Sequence, residues 1–256
     1  MSLKIFNSIK SFNATKPTIV TIGTFDGVHL GHQKIIKNLI REAKSTNSDS
    51  VLLTFFPHPR MVLFPEDTNL QLIQTQEEKY NKLAEQGLQN IIVQAFSHEF
   101  AKLTALEFIE EIIVKKIRAK KIIIGYDHQF GNSREGNINF LREYSDKFGY
   151  EVIEIPAKEI DEINVSSTKI RTAINEGDIE TANLFLNAAF EINGTVVHGN
   201  EIGRSIDFPT ANIQIADKNK IMTYEKKNVF QQKQINDRPK IMFRLHVRNY
   251  YLVFIS

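Results

Sequence analysis

Thr18-Ile19-Val20-Thr21-Ile22 is a short β-branched run, and the ten residues after it are Gly23-Thr24-Phe25-Asp26-Gly27-Val28-His29-Leu30-Gly31-His32. They lead straight into a helical pattern in which Ile35, Ile36, Leu39 and Ile40 recur on one face. A buried-type strand, a glycine-bearing loop and a helix form the opening of a βα unit. The glycines let the backbone approach a ligand, and the helix amino terminus offers N–H groups and partial positive charge. His29 and His32 are three residues apart at that terminus, so both imidazoles can face one phosphate. A zinc reading is weaker, because no third ligand lies nearby in sequence and the chain has no cysteine. Two better-known phosphate loops are excluded. Gly194 and Gly199 have the spacing of G-x-x-x-x-G-K-[ST], but Asn200-Glu201 follows them, and no G-x-G-x-x-G follows the first strand.

Working outward, four further runs read as buried parallel strands: Val51–Phe56, Asn90–Val93, Lys121–Ile124 and Glu151–Ile155. Helical stretches lie between them. Thr75 with Glu78 and Thr104 with Glu107 form capping-box patterns, and Leu106, Ile109, Ile112, Ile113 and Ile117 continue the second helix. Strand–helix alternation predicts an α/β fold, a doubly wound parallel sheet with helices on both faces. The pattern changes after Pro156. Ser166-Ser167-Thr168 caps a helix, Asp178 to Leu186 reads as another, and Phe190–Gly199 is glycine-punctuated and β-like. The boundary falls near residue 187, giving domains of 1–186 and 187–256.

Of the 256 residues, 42% are hydrophobic and 24% charged, a globular composition that excludes chain-wide disorder. The longest apolar runs are too short to span a bilayer, and Met1–Ile5 lacks a secretory apolar core. A soluble, cytoplasmic protein without a membrane partner is expected. The net charge of +2 conceals an asymmetry: residues 217–256 hold nine Lys/Arg against three Asp/Glu. A nucleic-acid partner is a weaker reading of that tail than a lysine-rich surface, because no aromatic-interleaved groove accompanies it.

His29-Leu30-Gly31-His32 resembles the H-x-G-H signature of the nucleotidylyltransferase superfamily, and Gly23 to His32 looks like the first motif of the prokaryotic FAD synthase family, the bifunctional riboflavin kinase/FMN adenylyltransferases. Three further segments agree, in family order. Leu53–Pro59 resembles the second-strand motif, with Phe56 where an acidic residue is common. Gly125–Gly131 is similar to the flavin-side loop, and Val165–Arg171 matches the second phosphate-binding motif. The resemblance implies adenylyl transfer from ATP to FMN, with Mg2+ on the phosphates. By it, His29, His32 and Arg171 are catalytic, and Gly23, Phe25, Asp26, Gly27, Gly31, Ser166, Ser167 and Thr168 bind ATP phosphates. Pro57, His58 and Asp127 line the flavin side. The bet underneath is that the two helix mouths serve one triphosphate.

The family's second half is a riboflavin kinase on a small β-barrel, so the fold expected here is a doubly wound sheet followed by a partial barrel. Gly194–Gly199 and Gly203–Asn212 resemble its ATP–magnesium loop, with Thr210 and Asn212 as the metal-contacting pair and Asp207 where glycine is normal. After Ile215 the likeness fades. The catalytic glutamate is not legible, Arg244 occupies the slot in Phe243–Val247 that should be acidic, and the apolar end Tyr250–Ile255 has no evident partner strand. A truncated or divergent kinase half is expected, with kinase activity weak or absent. The alternatives are a non-catalytic flavin- or nucleotide-binding remnant, or a nucleotidylyltransferase for another acceptor.

Overall fold

The computed structural model describes residues 2–66, 70–156, 165–197, 212–215, 217–222, 229–234, 240–246 and 253–254. The chain divides into two compact units: Met1–Leu70 with Lys79–Asn164, and Gln71–Glu78 with Val165–Ser256.

The first unit is built on six strands: β1 Lys4–Phe6, β2 Thr18–Ile22, β3 Asp49–Phe56, β4 Asn90–Ala95, β5 Ala119–Gly125 and β6 Glu151–Ile155. They form one sheet in the order β1-β4-β3-β2-β5-β6, with every pairing parallel. The helices are α1 Leu30–Ser45, α2 Pro59–Leu63, α3 Gln76–Glu85, α4 His98–Ala101, α5 Ala105–Glu107, α6 Ile138–Glu143 and α7 Ser145–Phe148. Alternation along the strands divides the apolar side chains between two cores. Val20, Ile22, Val51, Leu53, Ile122 and Ile124 share one with Phe108, Ile109, Ile112 and Ile113. Ile19, Leu52, Ile91 and Ile123 share the other with Ile36 and Leu39 of α1 and with Leu83 of α3. A sheet buried on both faces explains the continuous apolar runs, and the doubly wound expectation holds.

The two capping boxes form. Thr75 Oγ1 accepts from the Glu78 N–H while Glu78 Oε2 accepts from the Thr75 N–H, and Thr104 and Glu107 do the same. Two elements differ from expectation. Strand β1, short and partly exposed, was not anticipated. The helix after α5 is a π-helix over Phe108–Lys116, closed by the Ile117 N–H donating to Ile112 O five residues back.

The second unit carries α8 Ser167–Asn175, capped by Ser166 of the Ser166–Thr168 run read as a cap, and α9 Ile179–Leu186, capped by Asp178, which was read as the helix start. Five strands follow: β7 Glu191–Val197, β8 Asn212–Gln214, β9 Val229–Gln234, β10 Lys240–His246 and β11 Val253–Phe254. Their order is β11-β8-β7-β10-β9, antiparallel except for β11 on β8. Here one expectation is corrected: the apolar end does have a partner, because Val253–Phe254 pairs with Asn212–Ile213. A second correction concerns Lys220, read as part of a solvated basic surface. It is buried. Its Nζ lies 2.7 Å from Glu78 Oε2, donates to Ile73 O at 2.7 Å and sits 4.5 Å above the Phe190 ring. Glu78 Oε1 in turn accepts from Asn193 Nδ2 of β7 at 2.7 Å.

Candidate active site

In open parallel sheets ligands bind beyond the carboxyl ends of the strands, at the point where strand order reverses. Here the chain steps outward from β2 through β3 and β4, then crosses to β5 on the other side of β2. The reversal therefore lies between β2 and β5. The loop after β2 is Gly23–His29 and the loop after β5 is Tyr126–Gly131, so topology alone brings these two sequence-predicted segments to the same sheet end.

The β2 loop is held in an uncommon conformation. Phe25 has φ 50°, Gly27 φ 88° and Val28 φ 39°. Positive φ at a β-branched residue is a true outlier, and such strain persists only where the surroundings over-determine it. They do so here, since Phe25 and Val28 are buried in the α1-side core. The loop delivers His29 to the N-cap of α1, where its Nδ1 accepts from the His32 N–H at 3.5 Å. The two imidazoles stack with centroids 3.7 Å apart, and Phe25 stacks on the far face of His32 at 4.5 Å. His32 Nδ1 is enclosed without a hydrogen-bond partner among the described residues. Burial first, then the neighbouring His29 and Lys79, hold the His32 imidazole well below its usual pKa. It is therefore a neutral ring near pH 7, beside first-turn N–H groups that have no intrahelical acceptor. Asp26 is buried on the same loop, and Gly31 lies in the first turn of α1.

Lys79 was missed by the sequence reading. It lies on α3, is 4% exposed, and donates to Thr24 O at 3.2 Å and to Thr54 Oγ1 at 3.4 Å. Burial pushes its ammonium down to a pKa of about 8, with Asp26 opposing the fall.

On the flavin-side loops, His58 caps α2 by accepting from the Arg60 N–H at 3.2 Å, next to an exposed Pro57. Asp127 is exposed one residue beyond Tyr126. His128 is pushed down to a pKa of about 4 by burial, against the opposing pull of Asp127. Gly131 has φ 77°, and a Cβ there would meet the Ala105 backbone at 2.8 Å. Gly131→Ala therefore combines a disfavoured backbone with a clash, and a destabilisation exceeding about 1 kcal/mol is expected, read by urea unfolding. An unchanged midpoint would show that this loop end is free to move.

In the second unit, Ser166 Oγ accepts from the Lys169 N–H at 3.3 Å, which leaves its O–H available as a donor. Ser167 is half-buried and Thr168 exposed at the start of α8. Arg171 Nε donates to Gln71 O at 2.7 Å. Asn212 begins β8, whereas Thr210 and Asp207 lie outside the described residues. Arg244 stands within β10.

Residues 11–169 match the family model described as FAD synthetase, and residues 186–247 match that of riboflavin kinase. The chain belongs to the FAD synthetase family. It carries that family's FMN adenylyltransferase module, followed by a riboflavin kinase region. A bifunctional riboflavin kinase/FMN adenylyltransferase of Buchnera aphidicola from Acyrthosiphon pisum is 36% identical over 217 residues, which is 85% of this chain and 68% of that protein. The Escherichia coli K12 protein of the same description is 35% identical over 77% of this chain and 63% of its own length. The chain thus spans about two thirds of the curated relatives it matches. Among solved structures, one titled macrolide-efflux protein from Streptococcus pneumoniae superposes with a TM-score of 0.78 at 29% identity, covering 98% of this chain and 86% of that one. No helix among the described residues is long and apolar enough to cross a membrane.

Proposed function

We propose that this chain transfers AMP from ATP to FMN, releasing pyrophosphate and forming FAD. A phosphate oxygen of FMN attacks the α-phosphorus of ATP, a P–O bond forms, and the bond to the leaving pyrophosphate breaks. The nucleophile is already anionic, so no general base is required, and the protein's contribution is alignment and charge neutralisation. His29 and His32 contact the phosphates around the reacting phosphorus. Ser166, Ser167, Thr168 and Arg171 hold the leaving pyrophosphate, Arg171 through its planar fork. Gly23, Phe25, Asp26, Gly27 and Gly31 shape the nucleotide loop, and Pro57, His58 and Asp127 face the flavin. The observation that carries the reading is the stacked His29–His32 pair on a strained loop beside the strand-order reversal, inside the family-matched region.

The described residues contain no group of three or more His, Asp or Glu side chains able to cage a metal. By the family resemblance, magnesium would be carried on the nucleotide's phosphate oxygens, where it would neutralise charge. In the kinase region Thr210 and Asn212 are the proposed metal contacts. We further propose that riboflavin phosphorylation is weak or absent, on the strength of Arg244 in the slot for an acidic base, and that function divides near residue 187. The change of matched family model near residue 186 supports that division. ATP and FMN are the substrates and Mg2+ the accompanying metal, in a cytoplasmic setting, with no role assigned to membrane or nucleic acid.

One experiment tests both halves. Incubation with ATP, magnesium and either FMN or riboflavin, followed by separation of the flavins, is expected to yield FAD from FMN and no product from riboflavin. No FAD from FMN ends the first claim, and FMN formed from riboflavin ends the second.

A further inference from the structure

Two lysines buried among the described residues differ in a way that points to function. Lys220 meets a carboxylate, Glu78, at 2.7 Å, so its charge is repaid where it lies. Lys79 is buried just as fully, yet its two hydrogen-bond acceptors are neutral: the Thr24 carbonyl of the β2 loop and the Thr54 hydroxyl near the end of β3. An ammonium has three protons, and among the described residues two are used. Burying a charge against neutral acceptors is costly, and a cation kept in that state next to a loop built for an anion is compensated when the anion arrives.

Resting on the adenylyltransferase reading above, we propose that Lys79 is a positioning residue of the first unit's nucleotide site. Its ammonium pins the β2 loop through Thr24 and supplies the fixed positive charge that draws the polyphosphate of ATP to the His29–His32 mouth. The charged or titratable groups around it are Asp26, which favours its protonated form, and His32, whose pKa is lowered by burial, then by His29 and by Lys79.

The inference carries a pH signature. With a pKa of about 8 the free protein loses this charge as pH rises through that value. Because kcat/KM reports the free enzyme, the wild-type value for ATP should fall above about pH 8. Lys79→Met removes the charge at nearly constant volume and should fold, since it also removes a buried ion whose hydrogen-bond acceptors are neutral; its melting temperature is expected close to that of wild type. Its kcat/KM for ATP should be lower by roughly ten- to a hundredfold, the range for one charge-assisted contact, with KM for FMN little changed and the alkaline step gone. Lys79→Arg, which stays charged, should recover much of the loss and also lack the step.

A stable Lys79→Met protein with wild-type kcat/KM for ATP, or a wild-type profile flat from pH 7 to 9.5, would overturn the role of Lys79 while leaving adenylyl transfer intact. A wild-type protein that neither binds ATP by calorimetry nor makes FAD would instead overturn the site reading on which the proposal stands.

Discussion

His32→Ala is expected to lower the turnover of FMN to FAD by ~10²–10³, or about 3–4 kcal/mol of transition-state stabilisation, the usual cost of deleting one preorganised donor. The imidazole lies between Phe25 and His29, fixed by stacking on both faces, so it needs no reorganisation when negative charge grows on the reacting phosphorus. Its lowered basicity matters for the shape of the effect. The neutral ring predominates at every pH above its depressed pKa, so wild-type turnover should show no step at the ordinary imidazole value near 6.5. FMN affinity should change little, because the loss falls on the transition state. Steady-state rates at saturating FMN, with flavin binding measured separately by fluorescence quenching, distinguish the two. Near-wild-type turnover in the variant removes His32 from the chemistry.

The largest effect on stability is expected at Lys220. Replacing it with Ala strands the Glu78 carboxylate, which is 4% exposed, with Asn193 and the Thr75 N–H as its remaining named partners, and takes the hydrogen bond from Ile73 O. Breaking a buried pair from one side costs roughly 3–5 kcal/mol, since a charge is left unmatched. The loss should appear in the unfolding transition of the second unit, followed by β7- and β10-directed hydrogen exchange. Lys220→Met paired with Glu78→Gln removes both charges and should regain much of it, because an apolar or neutral pair avoids the desolvation penalty. Equal destabilisation in the single and double variants would show that packing against Phe190, not charge pairing, is what Lys220 supplies.

The parts of this fold legible in the sequence were those whose signal is local. Runs rich in β-branched residues are a local signal, so Thr18–Ile22, buried at every position, and Glu151–Ile155, at the sheet edge, coincide with the observed β2 and β6 to the residue. Caps are equally local: Ser166, Asp178, Thr75 and Thr104 each accept from a backbone N–H three residues on, and all but Asp178, read as a helix start, were read as caps. Strand β1 was not legible, because two of its three residues are exposed at a sheet edge and carry no alternation. The site was partly legible, through glycines and paired histidines at a strand–helix junction. Lys79 was hidden because Gln76-Glu77-Glu78-Lys79 reads as an ordinary solvated first turn, and nothing in a charged side chain's identity announces that tertiary packing will bury it. Lys220 was hidden for the same reason within a basic stretch. The positive φ of Val28 was equally invisible, since a β-branched residue is the last that local propensity would put there.

That tension at Val28 bears on how the protein could be hardened. Substituting glycine at this position would relieve the backbone but empty a fully buried place in the α1-side core, and it would release the grip that sets His29 and His32 in register. An engineer seeking heat tolerance without loss of turnover would therefore leave residues 25–28 alone and work on the caps and the two cores.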